Sequence, residues 1–383
     1  TTTANITAKS LTVSGITASN KAYDGNSVAS LDVSSVAYSG LVSGDTFDGT
    51  FIGAFSDKNV GTGKTVTITP SYSGADVSNY SITNHTDVTA NITVRSLTVS
   101  GITASDKTYD GSVTATMDGT AAVYSGLVSG DTFDGSYTGV FSDANVGTGK
   151  TVTITPSYSG ADVNNYSVTD QSTTTADISA KALTATASAS NKTYDGGTTA
   201  STTLTFTGLV GSETLGQTVG STFDNKNVGS NKTVTVNSIT LSDGSGLAAN
   251  YSISAGQTTT ANITAKSLTV SGITASNKTY DGSTNVTLDA SLVAYSGLVG
   301  GDTFEGTYTG VFSDKNVGVG KTVTITPSYS GADVSNYSVT DQSSTTANIT
   351  AKSLTVSGIT ASDKIYDGST SATLTGTAVY SGL

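Results

Sequence analysis

One tripeptide, Tyr-Asp-Gly, recurs through this chain at an almost constant step, and that period limits the possible folds more than any other feature. Its tyrosines are Tyr23, Tyr109, Tyr194, Tyr280 and Tyr366, spaced 86, 85, 86 and 86 residues apart. A lead-in, Ser10-Leu11-Thr12-Val13-Ser14-Gly15-Ile16, returns at Ser96, Ser267 and Ser353. Two downstream signatures keep the same step: Asn59-Val60-Gly61, again at Asn145, Asn227 and Asn316, and Asn79-Tyr80-Ser81, again at Asn165, Asn250 and Asn336. Solenoid coils repeat every ~20–50 residues, whereas one small sandwich domain takes about 100. The period is therefore that of a domain. The repeats are read as 9–94, 95–180, 181–265 (divergent) and 266–351, with 1–8 as the end of a preceding repeat and 352–383 as a partial fifth.

Composition makes those domains all-β. Apolar residues are 35% of the chain, tryptophan is absent, and tyrosine (18) outnumbers phenylalanine (9). Glutamate occurs only as Glu213 and Glu305, and Thr, Ser, Val, Gly and Asn dominate, which favours strands and turns. In the second repeat Val152 and Ile154 alternate with Thr151, Thr153 and Thr155, the pattern of a half-buried strand. Pro156 is expected to end that strand, and Gly101–Gly111 reads as a turn region. About seven strands per period, with turn signals every ~8–12 residues, predict tandem Ig-like β-sandwich domains in an elongated rod. A β-grasp-like repeat with one short helix is the alternative.

The segments Ala90–Ser96, Ala176–Ala182, Ala261–Ser267 and Ala347–Ser353 read as strands running from one repeat directly into the next, without a flexible spacer. If each repeat spans ~40 Å, about a dozen strand residues, four reach on the order of 150 Å. In the third repeat the Pro-Ser-Tyr-Ser-Gly segment is missing and Ser242-Asp243-Gly244-Ser245-Gly246 stands instead, a change expected to sit in tolerant loops.

The net charge of −12 and pI near 4.3 argue against nucleic acid, which needs a basic patch. There is no cysteine, so disulfides and zinc–thiolate sites are excluded. No apolar run reaches the ~18 residues of a membrane-spanning helix. The chain begins and ends in mid-pattern, so it reads as a fragment of something longer.

The Tyr-Asp-Gly element, as in Asn277-Lys278-Thr279-Tyr280-Asp281-Gly282-Ser283-Thr284 followed by Asn316-Val317-Gly318 and Asn336-Tyr337-Ser338, resembles the YDG-type repeat, related to MBG repeats, of large bacterial surface adhesins and filamentous-haemagglutinin-like exoproteins. The resemblance covers essentially the whole chain. It implies secretion to the cell surface, often by two-partner secretion, and roles in attachment and biofilm matrix. It brings no catalytic residue with it.

The residues themselves offer four candidate chemistries. The only histidine, His85, does not recur in the other repeats, and without a placed nucleophile and acid it is a loop residue; the chain is read as no enzyme. Calcium is a candidate ligand, because Asp45 and Asp48, Asp131 and Asp134, and Asp302 and Glu305 cluster beside glycine. Against that, Asp-Gly pairs simply make turns, and no EF-hand loop or RTX nonapeptide is present. Lysine–asparagine isopeptide bonds need a buried lysine beside an acid; the Lys64 and Lys21 series recur, but as solvated strand-edge lysines. Finally, the Tyr-Asp-Gly tyrosine is expected to lie over its own small core with its hydroxyl at the rim, the aspartate to bond its own backbone, and the glycine to supply a positive φ. On that reading Tyr280→Ala costs about 3–5 kcal/mol if the ring is buried.

The function expected is mechanical: stalk repeats of an extracellular bacterial adhesin or filament, extending a distal adhesive region, with neighbouring repeats of the same chain as partners. The alternative is that the repeats bind exopolysaccharide through exposed tyrosines, or associate with like chains into a filament or sheath.

Overall fold

The computed structural model describes all 383 residues. It is all-β: the only helical elements are three-residue 3₁₀ turns, which leaves no place for the helix of a β-grasp. By its contacts the chain divides into two compact units. One comprises Thr1–Ala182, Val210–Ser212 and Gly246–Ser252; the other comprises Leu183–Leu209, Glu213–Ser245 and Ile253–Leu383.

The first repeat shows the plan. Its strands are β1 (Lys9–Ser14), β2 (Thr17–Ala18), β3 (Lys21–Ala22), β4 (Val28–Ala29), β5 (Leu31–Asp32), β6 (Ala37–Ser39), β7 (Asp48–Phe55), β8 (Gly61–Ser73), β9 (Tyr80–Thr83) and β10 (Val88–Thr93). One sheet has the order β6-β1-β9, with β9 parallel to β1; the other has the order β3-β10-β8-β7-β4, with β3 parallel to β10. Strands β2 and β5 pair with each other, antiparallel, as a separate two-stranded sheet. Alternation places Leu11 and Val13 of β1 inward against Ile68 of β8, with Ile16, Phe47 and Tyr80 around them. These two faces make a sandwich core, because period-2 alternation leaves each sheet one apolar face to bury.

Two local expectations are corrected. Strand β8 does not stop at Pro70, nor its counterpart Gly147–Ser159 at Pro156. Pro70 lies opposite Phe51, and Pro156 opposite Tyr137. The neighbour on the other side, β10, pairs with β8 only from Gly61 to Val66, so the missing proline N–H falls on an open edge and costs no ladder bond. Gly101–Gly111 is not only a turn. It holds two short strands, Thr103–Ala104 and Lys107–Thr108, the second parallel to Ile178–Ser179.

The third repeat accommodates its changes partly in the bend at Gly244–Gly246, as expected, and partly inside a hairpin. Leu215–Phe223 pairs with the lengthened strand Gly229–Asp243, and a register shift between Gly220 and Ser221 absorbs the difference. A β-bulge takes up such an offset without disturbing the core side of the strand.

Between repeats, β10 ends at Thr93 and β11 (Arg95–Ser100) begins after Val94 alone. One nearly continuous strand thus leaves the larger sheet of one repeat and enters the smaller sheet of the next. In the second unit Thr258–Thr264 and Lys266–Ser271 repeat the arrangement.

Candidate functional site at the repeat junctions

The Tyr-Asp-Gly element is a turn held from below. Lys21 donates from Nζ to Asp24 at 2.7 Å, to the Asn26 carbonyl at 2.7 Å and to the Val28 carbonyl at 3.0 Å, and lies 5.6 Å from the centre of the Phe55 ring. Lys107 and Lys278 do the same beneath their own turns, and Lys192 holds Asp195 and the Gly197 carbonyl, each lysine lying over a phenylalanine ring. These lysines are therefore turn-closing rather than solvated edge residues. Asp24 also accepts the Asn26 amide at 3.2 Å, an Asx turn, and Gly25 has φ +82°. Within the turn the aspartate and glycine behave as expected.

The tyrosine does not. Tyr23 leaves its own repeat and enters the second. Its hydroxyl stands 2.8 and 3.0 Å from the two carboxylate oxygens of Asp131, and its ring meets Tyr166 edge-on at 5.6 Å. It is 0% exposed. Tyr166, from the Asn-Tyr-Ser signature, donates to the same carboxylate at 2.6 Å and accepts the Val128 amide at 2.9 Å. Lys58, just before Asn-Val-Gly, reaches Asp131 at 3.1 Å and Asp162 at 2.9 Å, and stands 5.9 Å from the Tyr23 ring centre. The Val60 amide donates to Asn165 Oδ1 at 2.9 Å. Gly25 closes the fit: a Cβ there would lie 2.7 Å from Val128 Cγ1.

All three signatures thus meet at one place. The Tyr-Asp-Gly and Asn-Val-Gly turns form a knob on one repeat, and the Asp131 loop with Asn-Tyr-Ser forms a socket on the next. The core runs through the contact: Tyr23, Phe55, Val66 and Ile92 cluster with Leu97, Phe133 and Tyr166. In the second unit Tyr194 meets Asp302 at 2.8 and 3.0 Å and Tyr337 edge-on at 5.6 Å. There Lys226 reaches Asp302 at 3.1 Å and Asp333 at 2.8 Å, and Val228 donates to Asn336 at 2.9 Å. The first unit also contains Tyr109 edge-on to Tyr251 at 5.4 Å and the Val146 amide on Asn250 Oδ1 at 2.9 Å.

The electrostatics follow from this geometry. Burial pushes the Asp131 carboxyl up, but hydrogen bonds from Tyr166, Tyr23 and Lys58 outweigh it and leave it below the usual carboxylate range. Asp302 is balanced in the same way by Tyr337, Tyr194 and Lys226. The ammonium of Lys58, then the Thr132 amide, hold Asp162 low; Lys226 and Thr303 do so for Asp333. Burial, then the hydrogen bond to Asp131, raise Tyr23, and bring Tyr166 up to about 12. The carboxylates are charged, the phenols neutral, and each buried charge has a partner.

The calcium candidates divide. Asp45 accepts the Tyr80 hydroxyl at 2.6 Å, and Asp131 and Asp302 accept tyrosines and lysine as above. Asp48, Asp134 and Glu305 instead open the strands Asp48–Phe55, Asp134–Phe141 and Glu305–Phe312. No three acidic or histidine side chains come together to hold a metal ion. The positive charge that Asp131 and Asp302 meet is a lysine of the preceding repeat. His85 lies in the loop after β9, with Nδ1 2.5 Å from the Thr86 carbonyl. The Lys64 series pairs with half-exposed aspartates, Lys64 with Asp57 at 2.7 Å and Lys150 with Asp143 at 2.8 Å, not with an acid in an apolar core. Tyr280 is only half-buried; it lines an open cleft with Lys352, Leu354 and Leu383.

Asp162 and Lys58 went unnoticed in the sequence. The signal was there: both stand at fixed offsets from signatures that recur, but an offset does not say that two signatures meet across a boundary.

Fold and junctions together define tandem β-sandwich repeats with knob-into-socket contacts inside each unit. Four stretches, 7–90, 93–176, 179–261 and 264–347, match the YDG domain, and the chain belongs to that family. Among solved structures it is similar to the crystal structure of Drosophila N-cadherin EC1-4, at 8% identity, over 87% of this chain and 98% of that one, with a TM-score of 0.22. No curated protein matches the chain.

Proposed function

We propose that the chain is a load-bearing part of a bacterial surface adhesin or filament, exported to the cell exterior, whose repeats carry a distal adhesive region away from the cell and hold attachment or biofilm matrix together. It works mechanically and catalyses nothing. The observation that supports this reading is the use made of the repeated residues. Tyr23 and Tyr194, together with Asp131 and Asp302, lie at contacts between neighbouring repeats, where they resist bending. A ligand site would keep such side chains open to solvent. A strand passing through Val94 with no spacer serves the same end.

Small-angle scattering of the 383-residue chain tests the proposal. It predicts an extended particle on the order of 150 Å long, from strand rise and repeat number. A compact globule, or the scattering of freely jointed beads, overturns it.

A further inference from the structure

The three socket-bearing repeats that follow another repeat differ at two positions, and the differences are matched. An acid stands at the same sequence position throughout: Asp131 and Asp302, which receive Tyr23 and Tyr194, and Glu213 in the third repeat. The acid at the start of the 3₁₀ turn is not kept: the residue there is Asp162 in the second repeat, Leu247 in the third and Asp333 in the fourth. The residue before Asn-Val-Gly in the preceding repeat changes with it. Lys58 precedes the repeat of Asp162, Ala144 that of Leu247, and Lys226 that of Asp333. In both lysine cases the ion pair is made, at 2.9 and 2.8 Å.

We infer that this lysine and this aspartate form a pairing code, which selects the YDG repeats that can be neighbours. The physical reason lies in burial. The Asp131 and Asp162 side chains are 3% and 10% exposed, so a socket with both acids and no lysine leaves negative charges uncompensated, which is strongly unfavourable. A socket that has lost the second acid no longer needs the ammonium, and Ala144 with Leu247 is that state. The edge-on tyrosine pair recurs as Tyr23–Tyr166, Tyr109–Tyr251 and Tyr194–Tyr337 whether or not the lysine is present, and so gives no selectivity; the charge pair discriminates by penalising the wrong partner. The partner recognised is another YDG repeat. Asp76 on the first repeat and Lys315 on the fourth place those faces in the lysine–aspartate class.

The inference rests on the junction reading above, and the test separates the two. In the full chain, Lys58→Met and Asp162→Asn are made singly and together; asparagine keeps an acceptor for the Thr132 amide, bonded at 2.9 Å. Hydrogen exchange is followed at the Val60 amide, with Val228 in the second unit as the internal control. Lys58→Met is expected to speed exchange at Val60 on the order of tenfold, the loss of a charged hydrogen bond, and Lys58→Arg to leave it near wild type. In the Asp162→Asn background the effect of Lys58→Met should shrink to less than half. An equal effect in both backgrounds overturns the pairing code, whatever the scattering profile of the chain. A change at Val228 as large as at Val60 also overturns it, because the effect would then not belong to the junction.

Discussion

Tyr23 places two demands on one side chain. Its ring fills the boundary between two cores, while its hydroxyl satisfies a carboxylate that is almost wholly buried. These contributions separate by substitution. Tyr23→Phe keeps the ring and removes one donor to Asp131, at a cost of about 1.5–3 kcal/mol for a hydrogen bond to a charged group. Tyr23→Ala also opens a cavity and costs about 3–5 kcal/mol. Chemical denaturation of the full chain measures both, and equal losses for the two variants would show that only the hydroxyl matters. Tyr280→Ala, at the half-buried position, should cost less than half as much as Tyr23→Ala. The expectation that every Tyr-Asp-Gly tyrosine covers its own domain is thus replaced: burial was legible, but the identity of the covering repeat was not.

At the scale of elements, the connection matters as much as the contact. Strand β10 is held in register by β8 and β3, and β11 by its own parallel and antiparallel partners. Only Val94 lies between them, so the knob is delivered to the socket at a fixed distance and angle. A Gly-Gly-Ser insertion after Val94 leaves every strand intact but lowers the effective concentration of knob at socket. Exchange protection of the Val60 amide is expected to fall on the order of tenfold, since docking becomes a loop closure, while core amides such as Val66 keep theirs. Loss of protection at both would mean that the repeat itself had unfolded. The strands were readable where alternation was clean, as at Thr151–Thr155. They were not readable at Lys21–Ala22 or Thr103–Ala104, because two residues carry no period.

Across the molecule, the junction charges tie stability to pH. Asp131, Asp162, Asp302 and Asp333 all have lowered pKa values in the fold. Their contribution is complete above the unfolded carboxylate value of about 3.9 and is lost as pH falls through the lower folded values. Tyr23, Tyr166, Tyr194 and Tyr337 have raised values. Their contribution is complete below about pH 10 and is lost as pH rises toward the folded values. Thermal melts should therefore be flat from roughly pH 5 to 9 and fall on both sides. A melting temperature that declines steadily across the neutral range would contradict the pairing described here. An acidic chain of net charge −12 also keeps like molecules apart in that range.

The sequence by itself determined the repeat, its length, the all-β class and the turn chemistry of Asp24 and Gly25. These rest on local rules: alternation, turn preference and a period visible along one line. Only the tertiary structure decided that Tyr23 crosses to Asp131, that Lys58 spans Asp131 and Asp162, and that Asp131 meets phenols and an ammonium. Those pairs stand 108, 73 and 104 residues apart. In a chain of near-identical copies a signature can meet its partner in its own repeat or in the next one. The choice depends on how two folded surfaces fit, and no single repeat's sequence contains that.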